Sequence, residues 1–467
     1  MSLWTSEDIR AATGGRVTRN WSVSGISIDT RTLEKGDLFV ALSAARDGHD
    51  FVLDALKKGA GAVMASRMPD GLNADAPVIL VQDVQKALEA LATASRMRSK
   101  AKILAITGSV GKTSTKDMLR TVLEKQGRTH ASVASYNNHW GVPLTLARMP
   151  VETEYGIFEI GMNHPGEIAP LARLVRPDVV LITTISAAHL EAFGSVEAIA
   201  VEKAAIMEGL NSKGTAVMNA DIPTEPVLRQ VADQIACAQV WFGSGVVDAQ
   251  LTLCETCDDT TYAEIKLAGK PLSYELKSLG SHFVLNALGA IAALQALGAD
   301  ANHAARDMSL WKPVEGRGSR SLVDIPFGRI ELIDDAYNAN PASMAAALQV
   351  LAMCKGTRRV AIIGDMKELG PSAEDLHADL ADLEALNEID TLHLVGPLMS
   401  ALYAKLPPNR RGVHVNTVAE MIEIYSDILK PGDCILVKAS LGTGLGAIVK
   451  AILQLGKRQC MSLEKEI

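Results

Sequence analysis

Short apolar runs recur along this chain, separated by longer stretches in which apolar residues return every three or four positions. Runs of the first kind read as buried strands, and stretches of the second as helices that cover one face. Up to about residue 98 the pattern predicts strands at Gly25–Ile28, Leu38–Ala41, Ala62–Ala65 and Val78–Val81, with helices near Phe51–Lys58 and Val84–Arg98. Between about 99 and 312 an apolar strand enters a glycine turn near residue 108. Further runs follow at Gly156–Ile160, Val179–Ile185 and Thr215–Met218, with helical stretches between them. From about 313 to 467 the alternation resumes: strands Arg329–Ile333, Arg359–Ile363, Thr391–Val395 and Cys434–Val437, and helices Ser343–Met353, Ala373–Leu386 and Leu445–Leu455. Strands alternating with helices imply largely parallel sheets joined by crossover helices. The expectation is an α/β protein with three domains: 1–98, 99–312 and 313–467.

Composition narrows this reading. A length of 467 residues suits about three domains at roughly 150 residues each. Hydrophobic residues make up 48% and charged residues 21%, as in a packed globular protein. A net charge of −8 argues against nonspecific nucleic-acid binding. The opening Met-Ser-Leu-Trp-Thr-Ser-Glu-Asp has no signal-peptide character, and Val284–Ala299 is too short and too polar to span a bilayer. Six cysteines are scattered, and Cys254-x-x-Cys257 has no second half for a zinc site. Reduced thiols and a cytoplasmic location are expected.

The strongest chemical signal is Ala105-Ile-Thr-Gly-Ser-Val-Gly-Lys-Thr113. Glycines let backbone N–H groups turn toward phosphate oxygens, Lys112 adds a point charge, and a threonine hydroxyl can hold Mg²⁺. A helix starting near Lys112 would aim its positive end at the same anion. Ile106 stands where the general P-loop pattern has its first glycine, so this is a shorter variant opened by Gly108.

Ligands in open α/β sheets sit beyond the carboxyl ends of the strands. Polar residues occupy such ends at Thr107-Gly108, Glu159, Thr183-Thr184, Asp334-Asp335, Asp365 and Lys438. Glu159, on a strand beside the glycine-loop strand, stands where an Mg²⁺ ligand is wanted. His189 by itself reads more readily as a structural histidine than as a ligand, and Lys203, from spacing alone, as a solvated helix lysine. His282 and Asn286 are four apart on one helix face. Asn286 in that apolar helix needs partners for its amide, either an internal hydrogen bond or a purine edge.

Taken together, these blocks resemble the ATP-dependent Mur ligases of bacterial cell-wall synthesis over essentially the whole chain. The likeness is carried by Ser27-Ile-Asp-Thr-Arg31, Gly36-Asp-Leu-Phe-Val-Ala-Leu42 and Asp47-Gly-His-Asp-Phe51 near the N-terminus. Thr107–Thr113, Asn138-His-Trp-Gly-Val-Pro-Leu-Thr-Leu146, Glu159-Ile-Gly-Met-Asn163 and Ala188-His-Leu-Glu-Ala-Phe-Gly-Ser195 carry it through the centre. Asp334-Asp-Ala-Tyr-Asn-Ala-Asn-Pro-Ala-Ser-Met344 and Gly364-Asp-Met-Lys-Glu-Leu-Gly370 complete the set. Those last two blocks are nearest the family member that adds D-alanyl-D-alanine to UDP-N-acetylmuramoyl-tripeptide.

The resemblance implies a smaller N-terminal α/β domain for the UDP-sugar, a central P-loop domain for ATP, and a Rossmann-like C-terminal domain for the dipeptide. By position, Thr107, Gly108, Ser109, Val110, Gly111, Lys112, Thr113 and Ser114 would wrap the ATP phosphates. Asn286, Arg317, Tyr337 and Asn340 would line the nucleotide site across a domain interface. Thr113, Glu159, His189 and Lys203 would serve two Mg²⁺ ions, with Lys203 carbamylated by CO₂. Lys112, Glu159, His189 and Lys203 would form the catalytic set. Ser27, Asp29, Thr30, Arg31, Gly48, His49 and Asn138 would hold the UDP moiety. A monomer is expected.

Two departures stand out. Lys438-Ala-Ser-Leu441 lacks an arginine usual in that loop, and Ala44 replaces a usual glycine. The rival reading is the sister ligase that adds diaminopimelate or lysine, but the Asp-Asn-Pro-Arg stretch typical of its diaminopimelate form is not found. Folylpolyglutamate synthetase would lack the uridine domain, and a silent nucleotide-binding scaffold would tolerate loss of Lys112, Thr113, Glu159, His189 or Lys203.

Overall fold

The computed structural model describes residues 2–43, 46–73, 75–133, 135–326 and 328–463, with side chains through residue 456. Ala44 lies outside the described residues. Three large sheets follow one another along the chain, and helices pack on their faces.

The N-terminal sheet orders its strands Arg16–Val17, Val78–Leu80, Ala62–Ala65, Asp37–Val40 and Gly25–Ser27, parallel except at the first pair. The inner strands are buried on both faces, which explains their unbroken apolar character.

The central sheet has nine strands. Lys102–Thr107, which feeds the glycine loop, lies between Tyr155–Glu159 and Val179–Ile182 in parallel register. That placement brings Glu159 and Thr183 to the same sheet end as the loop. Val179–Ile182 is shorter than the apolar run predicts, because Thr183 and Thr184 leave the sheet to brace the loop. Three antiparallel strands, Ala249–Cys257, Thr260–Leu267 and Lys270–Leu276, extend this sheet beyond its parallel part. The expectation of crossover helices missed them. Their signature is local: period-two alternation in Tyr262-Ala-Glu-Ile-Lys-Leu267, with tight turns at Asp258-Asp259 and Gly269. Cys254 and Cys257, three apart on one strand, point to opposite faces.

The C-terminal sheet runs Ser319–Ile325, Gly328–Asp335, Asp433–Lys438, Arg358–Gly364, Thr391–Val395 and Arg411–Val415, parallel after its first pair. The helix predicted at Ala373–Leu386 instead ends at Ala378 and gives way to two 3₁₀ segments. Breaking the helix lets Leu380, Leu386 and Ile389 all enter one buried cluster. Among the described residues, no helix is long and apolar enough to cross a membrane.

Candidate active site

The glycine loop is held open from behind. Thr183 donates its hydroxyl to the Val110 carbonyl at 2.6 Å, and the Ser109 N–H donates to the Thr184 carbonyl at 2.6 Å. Gly108 and Gly111 take φ of 154° and 91°. A Cβ at 108 would sit 2.0 Å from the Thr183 hydroxyl, and one at 111 would sit 2.6 Å from Asn286 Oδ1. Glycine is therefore required at both places by contact as well as by conformation. The helix Lys112–Leu123 starts here with no side-chain cap, so its first N–H groups are left for a ligand. The Lys112 ammonium meanwhile folds onto the Gly108 carbonyl at 2.6 Å. Burial lowers its pKa from the ordinary lysine value, with Glu159 opposing and Arg317 adding to the shift.

Glu159 is buried and fully engaged. One carboxylate oxygen accepts the Thr113 hydroxyl at 2.9 Å, and the other accepts the Asn137 amide at 2.7 Å. Ser135 stands by Thr113 and accepts from Arg317 of the C-terminal domain at 3.0 Å. The Arg317 guanidinium lies 4.1 Å from the Tyr337 ring centre.

Lys203 overturns the reading that spacing alone supports. The helix Val196–Ala204 turns it inward, and the residue is only 1% exposed. Burial drives its pKa well below the ordinary lysine value, the Lys112 charge adds to this, and Glu202 only partly opposes it. Among the described residues no carboxylate forms an ion pair with it. His189 holds a left-handed φ of 62° and pairs through Nδ1 with the Glu368 carboxylate of the C-terminal domain.

Several of these groups line a cavity of about 400 Å³ between the central and C-terminal domains, whereas Thr113 and Lys203 lie behind its wall and are not among the lining residues. Ser109–Lys112, Ser114, Glu159, His189, Asn286, Arg317, Tyr337 and Asn340 all border it. Asn286 packs at the phosphate-loop end, against Gly111. Asn340 spends its Oδ1 on capping the helix Pro341–Met353, accepting the Ser343 N–H at 2.9 Å. Of the polar strand ends, Glu159, Asp335 and Lys438 reach the cavity. Asp334 instead accepts the Gly316 and Ala336 N–H groups, and Asp365 accepts the Met399 N–H at the start of a helix. Lys438 donates to Asp335 at 2.7 Å and to the Asn338 carbonyl at 2.9 Å, while Leu441 stays exposed at the mouth. Ser135, Asn137 and Glu368 belong to the site but do not stand out in sequence, although Glu368 lies within Gly364–Gly370.

The residues expected to hold UDP lie apart from this cavity. Arg31 forks onto Asp29, with Nη2 to Oδ2 at 2.6 Å. Ser27 and Gly48 serve local turns: the Ser27 hydroxyl donates to the Asp29 carbonyl, and the Gly48 N–H to the Leu42 carbonyl. His49 is buried with both ring nitrogens occupied, Nδ1 by Asp47 at 2.6 Å and Nε2 by the Ser66 N–H at 3.0 Å. It therefore shapes the loop. Thr30 accepts Lys58 through its carbonyl, and Asn138 Oδ1 accepts the Trp140 and Gly141 N–H groups. The segment between the two regions alternates. Ser135 and Asn137 border the cavity, whereas Tyr136 packs against the N-terminal apolar cluster.

Models of Mur ligase domains match in order along the chain. The Mur ligase family catalytic domain matches residues 22–96, the middle domain 106–294, and the glutamate ligase domain 322–441. The UDP-N-acetylmuramoyl-tripeptide–D-alanyl-D-alanine ligase of Rickettsia prowazekii is 34% identical over 449 residues, covering 96% of this chain and 99% of the relative. Its Escherichia coli namesake is 35% identical over 442 residues, covering 93% and 95%. The crystal structure of MurF from Acinetobacter baumannii superposes with a TM-score of 0.84 at 29% identity, covering 97% and 99%. MurF of Thermotoga maritima in complex with ADP shares the fold, with a TM-score of 0.78 at 24% identity and coverage of 94% and 99%.

Proposed function

The chain belongs to the Mur ligase family, and from that premise we propose its reaction. It is an ATP-dependent amide ligase that joins D-alanyl-D-alanine to UDP-N-acetylmuramoyl-tripeptide. The products are UDP-N-acetylmuramoyl-pentapeptide, ADP and phosphate. The observation that carries this reading is the cavity itself. An uncapped helix N-terminus with Lys112 stands beside the Thr113–Glu159 pair, and the C-terminal domain closes over both.

The tripeptide carboxylate attacks the γ-phosphate of ATP, forming an acyl phosphate and releasing ADP. Two anions must meet for this, so positive charge is needed between them. Lys112 and the loop N–H groups supply part of it, and Arg317 reaches in from the other side. The dipeptide amine then attacks the acyl carbon, and the C–O bond breaks to release phosphate. Acyl phosphates hydrolyse readily, so a roof contributed by the C-terminal domain serves to exclude water.

The donor set suits Mg²⁺. Thr113 Oγ1 and the Glu159 carboxylate offer hard oxygen donors at the loop, and His189 lines the same cavity as Glu159. When bound there, Mg²⁺ would neutralise phosphate charge. Lys203 is buried, no carboxylate among the described residues forms an ion pair with it, and burial lowers its pKa, which favours the uncharged amine that reacts with CO₂; carbamylation would turn it into an anionic oxygen ligand. Asp29, Thr30, Arg31 and Asn138 are the groups we assign to the UDP end, and the 135–138 segment gives the peptide a path from there to the cavity.

Phosphate release from ATP and UDP-N-acetylmuramoyl-tripeptide tests the reading. Turnover that depends on D-Ala-D-Ala is the expected result. Turnover only with diaminopimelate or L-lysine, on the precursor one residue shorter, would transfer the chain to the sister activity. Silence throughout would end the ligase reading.

A further inference from the structure

We propose that Glu368, contributed by the C-terminal domain, is a positioning residue that fixes the His189 imidazole for its role in the cavity. The proposal rests on the metal-ligand reading of His189 given above. The Glu368 carboxylate takes His189 Nδ1, an acceptor that holds a proton on that nitrogen and so leaves Nε2 as the one the ring would offer an ion. A carboxylate behind a ligating histidine fixes both tautomer and ring orientation, and losing such a partner commonly costs about 10–100-fold in metal affinity or activity.

Taken alone, a partly exposed His–Glu pair would carry little weight. The backbone on both sides gives it more. His189 and Glu368 each adopt a left-handed φ, 62° and 64°, which side chains other than glycine rarely take. Such conformations persist where the surroundings over-determine them, and they concentrate at functional sites. The two loops also interlock. The Glu191 N–H donates to the Glu368 carbonyl at 3.2 Å, and Gly370, at φ 61°, lies so close that a Cβ there would be 3.2 Å from Glu191 Cα. One loop belongs to the central domain and the other to the C-terminal domain. His189 is therefore locked only when the domains are together, which ties closure to completion of the site.

Mn²⁺ is the probe. Free Mn²⁺ is titrated by electron paramagnetic resonance with full-length enzyme saturated with a non-hydrolysable ATP analogue, for wild type, Glu368→Ala, Glu368→Gln and His189→Ala. Glu368→Ala should weaken the weaker-bound ion by about tenfold or more and leave nucleotide affinity within about twofold. Glu368→Gln, which still accepts the Nδ1 proton, should recover most of that loss. Nitrogen-15 spectra should report one His189 tautomer in wild type and a mixture in Glu368→Ala. Unchanged Mn²⁺ affinity and an unchanged tautomer in a folded Glu368→Ala would overturn the proposal. So would full binding of both ions by His189→Ala. Turnover with D-Ala-D-Ala is scored separately on wild type, so failure of the substrate reading leaves the Mn²⁺ result standing.

Discussion

Trp4, Ile9, Leu88 and Leu91 of the N-terminal domain share one buried cluster with Leu144 and Ala147 of the central domain, and Arg148 ties the two further through the Ile26 carbonyl at 2.6 Å. The C-terminal domain is joined differently. Among the described residues, Leu279 is the one central-domain side chain in its apolar cluster. Among the described residues its other ties include the polar pairs Arg317 to Ser135, Arg320 to Asp259 at 2.7 Å, Lys355 to Asp258 and Glu368 to His189, and the Glu191 N–H to the Glu368 carbonyl. An apolar joint resists separation, because opening it exposes hydrocarbon to water. A polar joint exchanges its hydrogen bonds for water at little net cost. The difference matches the work of each side. On the function proposed above, the UDP end needs a fixed platform, whereas a cavity that admits ATP and a dipeptide and then excludes water has to open and close.

The largest effect is expected inside the domain that both joints share. Lys203→Ala should lower turnover by more than the roughly 100-fold that outer partners of a metal can carry, with partial rescue by added short carboxylates that stand in for the carbamate. Absence of any rescue would remove Lys203 from its assigned role. Melting should change little by comparison.

Leu144→Ala cuts the apolar joint. Truncating a fully buried leucine there should cost about 2–5 kcal/mol in denaturant unfolding, and the N-terminal and central domains should weaken together. Separate unfolding of the N-terminal domain would break the comparison.

Acid sharpens the contrast from the other side. His393 is buried within the C-terminal sheet and accepts the Val413 N–H through Nδ1 at 3.1 Å. Burial, with the Arg358 charge adding to it, lowers its pKa to about 4. The unfolded imidazole takes a proton near 6.5. Between these values the unfolded state binds more protons, so stability falls as pH drops through that window. At pH 5 the loss from this one group should be about 2 kcal/mol, read as the difference in denaturant unfolding between neutral pH and pH 5. His393→Asn should flatten this dependence.

The smallest effect belongs to the exposed ties. Asp258→Asn combined with Asp259→Asn should leave Tm within about 1 °C. The KM of the dipeptide should rise by about 2–5-fold, because closure is weakened. A large drop in Tm would mean that the polar joint is structural after all.

What could be read from sequence divides along physical lines. The glycine loop was legible because its chemistry is local: Gly108, Gly111, Lys112 and Thr113 are neighbours in the chain. So were most of the strands, since burial on both faces leaves an unbroken apolar run. The antiparallel extension at 249–276 escaped because its half-exposed strands alternate and carry no such run. The burial of Lys203 could not be read from its helix, because burial is a property of what packs against it. The partner of His189 comes from 179 positions further along the chain, and only folding brings Glu368 there. The break after Ala378 follows from leucines competing for one cluster, which spacing alone does not reveal.

A cavity that joins carboxylate to amine through an acyl phosphate leaves its mark on the phosphate it releases. The most direct test supplies UDP-N-acetylmuramoyl-tripeptide labelled with oxygen-18 in its terminal carboxylate, together with ATP and D-Ala-D-Ala, and analyses the released phosphate by mass spectrometry. One labelled oxygen should be carried from the carboxylate into each phosphate formed. Unlabelled phosphate accompanying formation of the amide would contradict the acyl-phosphate route.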